Sequence, residues 1–196
     1  MPASARKITP ADILPDAEYL ARRKALRSEA IALKKNRRIE VGPFATFYFE
    51  NYLTMWLQVQ EMLRIEKGGE EQMRGELEVY NPLIPQGQEL IATLMLEIED
   101  EHRRNAVLLT LGGIEETVFM EIGGEKIRAT PTEYDDRTTA DGKTSSVHWL
   151  RFALTQRQIT AFKSESRTLL GIAHPNYGHM AVIPMAAQNA LARDFA

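Results

Sequence analysis

The chain has 196 residues, 44% hydrophobic and 26% charged, with a formal net charge of −3. That composition belongs to a folded protein and lies far from the low-hydrophobicity regime of disorder. With no cysteine, a thiol nucleophile, a thiolate zinc site and a self-ligated iron–sulfur cluster are excluded. The acidic balance argues against nucleic acid as a partner. No apolar run approaches the roughly 20 residues of a membrane span, and the start from Met1 to Lys7 lacks the apolar core of a signal peptide. The expected location is the cytoplasm, with no membrane partner.

Thr9-Pro10-Ala11-Asp12 reads as a helix start, with a hydroxyl cap, proline at the first helical position and a carboxylate in the first turn. Pro15 restarts the chain into a helix from Asp16 to Arg37, whose narrow apolar stripe is Tyr19, Leu26, Ala30 and Leu33. Arg38 to Val41 alternates as a short strand, and Phe44 to Phe49 is aromatic-rich and strand-like. A helix follows from Tyr52 to Lys67, stopped by Gly68-Gly69. Another runs from Glu70 to Val79 and ends before Asn81-Pro82, because a residue preceding proline is pushed out of helical dihedrals.

Leu90 to Glu99 alternates as a strand, and Asp100 to Leu111 is a helix ended by Gly112-Gly113. Thr117–Ile122 and Glu125–Thr132 are strands joined by Gly123-Gly124, a dipeptide suited to a tight hairpin. Glu133 to Ser145 is polar, contains Asp141-Gly142 and reads as a long turn or loop. Val147–Leu154 is a strand, Gln156–Ser164 a helix, Thr168–Ala173 and Met180–Ile183 strands, and Pro184 opens a last helix to Ala192. The predicted fold is α+β in a single domain. A mainly helical first part (1–85) packs on one mostly antiparallel mixed sheet from the second part (86–196). Leu26, Leu33, Trp56, Leu63, Leu94, Leu96, Leu150 and Phe152 are its expected core.

Several peptides in order carry a resemblance. They are Ile8-Thr9-Pro10-Ala11-Asp12-Ile13-Leu14, Leu33-Lys34-Lys35-Asn36-Arg37-Arg38, Phe49-Glu50-Asn51 with Gln58-Val59-Gln60-Glu61-Met62-Leu63, Tyr80-Asn81-Pro82-Leu83-Ile84-Pro85, Trp149-Leu150-Arg151-Phe152 and His174-Pro175-Asn176-Tyr177. Over nearly its whole length the chain resembles a bacterial family catalogued as domain of unknown function 3501. The resemblance implies a cytoplasmic protein whose gene neighbours encode a rubrerythrin and an iron–sulfur oxidoreductase, an association with peroxide or redox metabolism. It implies no reaction and no catalytic residue.

Three groups of residues are candidates for chemistry. Glu50, Asn51, Gln58, Glu61 and Arg64 offer two carboxylates and amides at helical spacing, able to meet a metal or a small polar ligand; a solvated helix face with a Glu61–Arg64 contact accounts for them more simply. His174, Tyr177 and His179 lie in a segment rich in proline, asparagine and glycine. They could bind a metal or move a proton, although the composition describes a turn between strands. His148 and Arg151 are expected to share one face of their strand and to join that group or cap the sheet edge. Arg23, Arg27, Lys34 and Arg38 fall within roughly 60° of one another on a helix at 100° per residue, flanked by Lys35 and Arg37. Such a stripe suits an acidic partner surface.

No phosphate loop, dinucleotide fingerprint or nucleophile elbow occurs, and no cofactor is expected. The leading expectation is therefore an accessory protein that docks a redox protein with an acidic surface. The alternative is a small metal- or ligand-binding enzyme using Glu50, Glu61, His148 and His174. Whether the chain forms a homo-oligomer is left open.

Overall fold

The computed structural model describes residues 6–132, 137–164 and 167–196. Part of the expected loop, residues 133–136, lies outside them. Helix α1 (Asp16–Lys34) starts after Pro15 with Asp16 and Glu18 in its first turn, and buries Tyr19, Leu26 and Ala30. A hairpin of β1 (Arg38–Val41) and β2 (Ala45–Phe49) follows. Its turn is formed by Gly42 at φ +76°, where a Cβ would also strike His179 and Tyr177. Helix α2 (Tyr52–Glu66) is capped by Asn51, whose Oδ1 accepts from the Thr54 amide at 3.1 Å. Lys67, in the left-handed conformation, closes it. Helix α3 (Gly69–Tyr80) leads to β3 (Glu89–Leu96).

Beyond these come α4 (Glu101–Leu108), β4 (Val118–Ile122), β5 (Glu125–Arg128) and β6 (Thr130–Pro131). They are followed by β7 (Val147–Ala153), α5 (Gln156–Lys163), β8 (Thr168–His174), β9 (Tyr177–Val182) and α6 (Met185–Leu191). The α+β class expected from the pattern is what the chain adopts.

The single sheet is not. The strands divide into one sheet of order β1-β2-β3-β7-β6 and another of order β5-β4-β8-β9, antiparallel throughout. The first part of the chain contributes β1 and β2 to the first of them. The expected strand Glu125–Thr132 crosses between the two sheets. Its first residues pair with β4, the Ala129 amide still donates to the Val118 carbonyl at 3.0 Å, and Thr130 and Pro131 then pair with Arg151 and Leu150. Pro131 has no amide hydrogen and sits where the sheet ends, the place a strand tolerates it. Alternation says which residues face the core, not which strand lies alongside, so the pattern fits either arrangement.

One large core lies between the two sheets. Val41, Phe47, Leu94, Leu150 and Phe152 from one sheet face Val118, Met120 and Ile172 from the other, with Phe162, Leu191 and Phe195 closing an end. The second core lies on the other side of the first sheet, where Ile91 meets Tyr19, Leu26, Trp56 and Val59. The Trp56 indole donates to the Asp12 carbonyl at 2.8 Å, and its ring meets Tyr19 edge-on at 6.3 Å. Six of the eight expected core residues are buried; Leu33 and Leu63 are half-buried, each on the wall of a surface cavity.

Helix α1 ends three residues earlier than expected because Arg37 turns inward. Its guanidinium, 2% exposed, donates to the carbonyls of Phe49 and Glu50 at 2.9 Å and forms a bidentate pair with Asp194. That buried pair ties the α1–β1 corner to the end of the chain.

Candidate functional site

Glu50 stands at the junction of β2 and α2 and is 5% exposed. Each of its carboxylate oxygens accepts one hydroxyl: Oε2 from Thr54 and Oε1 from Thr93, both at 2.6 Å. Thr54 reaches it because it lies one helical turn further on, and Thr93 because the outer face of β3 points under α2. Among the described residues no cation lies within 4 Å of this carboxylate. It forms part of the wall of a cavity of about 340 Å³ between the first sheet and helices α2 and α3. Tyr48, Tyr80 and Trp149 give that cavity aromatic walls, Met55 and Met95 add thioethers, and Gln58 and Lys34 also line it. The Arg137 guanidinium already lies 4.8 Å from the centre of the Trp149 ring, the geometry of a cation–π contact.

The other members of the first candidate group go elsewhere. Asn51 caps α2. Glu61 reaches α1, where it accepts two hydrogen bonds from Arg23 at 2.7 and 3.0 Å and one from Tyr19 at 2.5 Å, and contacts Arg64 at 3.2 Å. These donors, Arg23 foremost, hold its carboxyl at about 2, well below the ordinary value. Glu50 and Gln58 thus share a cavity, while Glu61 and Arg64 form a bridge between helices.

The histidines do not converge. His174 is buried, with Nε2 3.3 Å from the Gly112 carbonyl and Nδ1 accepting from the Asn176 amide at 3.2 Å. Tyr177 donates its hydroxyl to the Val41 carbonyl at 2.7 Å and accepts from the Phe44 and Ala45 amides at 3.2 and 3.0 Å, which fastens β9 to the β1–β2 hairpin. His179 is exposed and packs against the Tyr177 ring. His148 lies in the core, Nε2 2.9 Å from the Ser145 carbonyl and Nδ1 3.7 Å from Glu115. Burial holds its pKa below the ordinary imidazole value, against the pull of Glu115. The expectation that His148 and Arg151 share a face is wrong. With a period of two, Arg151 sides with Trp149 on the helix-covered face, and its guanidinium meets the Pro82 carbonyl at 3.5 Å. Among the described residues no group of three or more His, Asp or Glu side chains could hold a metal.

The basic stripe is interrupted. Arg23 is committed to Glu61, and Arg38 lies beyond the end of α1, on β1, against Tyr48, Glu40 and Glu97. Lys34 lines the Glu50 cavity, leaving Arg27 on the exposed face of α1 with Lys24. Sequence reasoning missed Thr54, Thr93, Tyr48, Tyr80 and Trp149. The one available signal was a threonine four residues after Glu50, while β3, β7 and the end of α3 join the site only through the fold.

No helix among the described residues is long and apolar enough to cross a membrane. No curated protein matches the chain. A crystal structure of a novel protein of unknown function from Burkholderia pseudomallei K96243 is 34% identical, superimposes with a TM-score of 0.88, and covers 97% of this chain and 100% of its own. The family model described as protein of unknown function DUF3501 matches residues 7–195. The chain belongs to that family.

Proposed function

We propose that this is a binding protein for a small organic cation, held in the Glu50 cavity. The observation that carries the reading is a carboxylate, almost wholly buried on a cavity wall, that two hydroxyls satisfy and that has no cation within 4 Å among the described residues. A buried carboxylate is costly unless paired, and an ammonium group on a ligand supplies the missing charge. Tyr48, Tyr80 and Trp149 around it suit the same class, since aromatic faces attract cations that have left water. Butylammonium and tetramethylammonium, with butanol as the uncharged control, test it by calorimetric titration. Saturable binding of an ammonium that weakens at least roughly tenfold in Glu50→Gln, as loss of a charge-assisted contact requires, is expected. Equal binding of butanol, or no binding of either cation, refutes the proposal.

A second reading has one observation behind it. Leu20 and Ile31, 51% and 69% exposed, flank Lys24 and Arg27 on the outer face of α1. An apolar and basic face suits an acidic partner, as an accessory protein of a redox or peroxide-stress system would have. Reversing Lys24 and Arg27 to glutamate should leave the melting temperature unchanged and abolish co-purification of a redox protein from the native host. Co-purification that survives the reversal removes this reading.

A further inference from the structure

We infer that the cavity bounded by α1, the start of α2 and the segment after α6 is a second binding site, which takes a small organic monocarboxylate. It encloses about 460 Å³, within the range of small-molecule sites, and shares no lining residue with the Glu50 cavity. Leu33, Leu53, Ile84 and Pro85 supply its apolar wall.

The charges on the wall say what it takes. Three guanidiniums, of Arg6, Arg37 and Arg193, line it against the two carboxylates of Glu29 and Asp194, an excess of one positive charge. The Asp194 carboxylate is taken up by the buried Arg37. Arg6 donates only to backbone carbonyls, those of Asp194 at 3.0 Å and Pro85 at 3.5 Å, and both of these residues line the cavity. The half-buried Arg6 is thus fixed at the wall, and Gly87 makes room for it: a Cβ there would lie 2.4 Å from its Nη1. Arg193 is exposed, and its guanidinium has no hydrogen bond or ion pair among the described residues. Glu29, an exposed residue of α1, offsets only one of these two guanidiniums. A charge drawn partly out of water is unfavourable until it is paired, and the guanidinium fork matches a carboxylate with two parallel hydrogen bonds. One excess positive charge calls for a ligand with one negative charge, where a phosphate ester would bring nearly two. The apolar wall calls for a hydrocarbon body behind it.

The test is calorimetric titration of the full chain with sodium hexanoate at low ionic strength, with 1-hexanol and inorganic phosphate as controls. Saturable binding of hexanoate is expected. Hexanol and phosphate should each bind at least about tenfold more weakly, because one lacks the charge and the other the hydrocarbon. Arg6→Gln and Arg193→Gln should each weaken hexanoate about tenfold, the scale of one lost charge-assisted contact. Arg193 is exposed and unpaired, so its variant should melt as wild type does, and affinity lost there is not a folding defect. Leu53→Trp, or Leu33→Phe should the first fail to fold, should abolish binding by filling the cavity. The inference is overturned if hexanoate binding does not saturate, if hexanol or phosphate binds as tightly, or if both arginine variants bind hexanoate as wild type does. Hexanoate binding that survives in the filled cavity overturns it equally.

Discussion

Asp194→Ala would leave the Arg37 guanidinium buried without its countercharge. Arg37 is 2% exposed, and its hydrogen bonds run to the carbonyls of Phe49, Glu50 and Ala190 and to the Asp194 carboxylate. The three carbonyls satisfy donors but neutralise no charge. Removing one partner of a buried ion pair costs about 3–5 kcal/mol. For a chain of this length each kcal/mol moves the melting temperature by roughly 2–4 °C, so a fall of about 6–20 °C is expected. Urea unfolding should show the midpoint falling at unchanged slope. Arg37→Met should cost less, because burial already raises the Asp194 pKa and the stranded carboxyl can take up a proton. The double variant Arg37→Met/Asp194→Leu should be more stable than Asp194→Ala alone, since it removes both charges of the pair and strands neither. A loss below about 1 kcal/mol for Asp194→Ala would refute the reasoning, because it would mean that the guanidinium is hydrated from the cavity it borders once the carboxylate is gone.

Tyr177→Phe removes a hydroxyl that serves two amides and one carbonyl, and should cost about 1–3 kcal/mol in denaturant midpoints; an unchanged midpoint would show that β9 is not fastened there. Glu61 has its folded pKa lowered from 4.5 to about 2, chiefly by Arg23. Its contribution is therefore present in full above about pH 4.5 and is lost as pH falls from there towards 2. Wild type should lose stability across that window more steeply than Glu61→Gln, and parallel curves would contradict the bridge. In Gly171→Ala the new Cβ would lie 2.4 Å from the Phe119 ring, and overpacking of about 1–3 kcal/mol is expected by thermal melting. A neutral result would mean that the ring swings freely.

Where punctuation is strong the elements are legible in the sequence. Gly68-Gly69 and Gly123-Gly124 mark real ends, and Arg38–Val41 is a strand as its alternation says. What depends on distant residues is not legible. The extent of α1 is misjudged because Arg37 finds its partner 157 residues away, and helical periodicity has no means of seeing a buried ion pair. The partition into two sheets turns on the strand that crosses at Ala129, whose composition is that of an ordinary hairpin arm. Glu50 and Gln58 stand out as polar residues near a helix start, and they do share a cavity. Their companions Thr93 and Trp149 come from strands whose neighbours alternation cannot name.

Strand β3 raises a question of alignment. From Glu89 to Leu94 it is buried on both faces, so sliding it by one residue would exchange apolar side chains for other apolar side chains. Hydrophobicity alone would hardly distinguish the correct pairing from its neighbours. Polar markers make the distinction. The Thr93 hydroxyl must meet Glu50, and the Thr46 hydroxyl must meet Glu97 beyond the strand's end. A slipped strand would break both contacts at once and leave the Glu50 carboxylate short of a donor. The same Glu50 carboxylate that stands in the candidate cation site therefore also serves as an alignment key for the central strand of the first sheet.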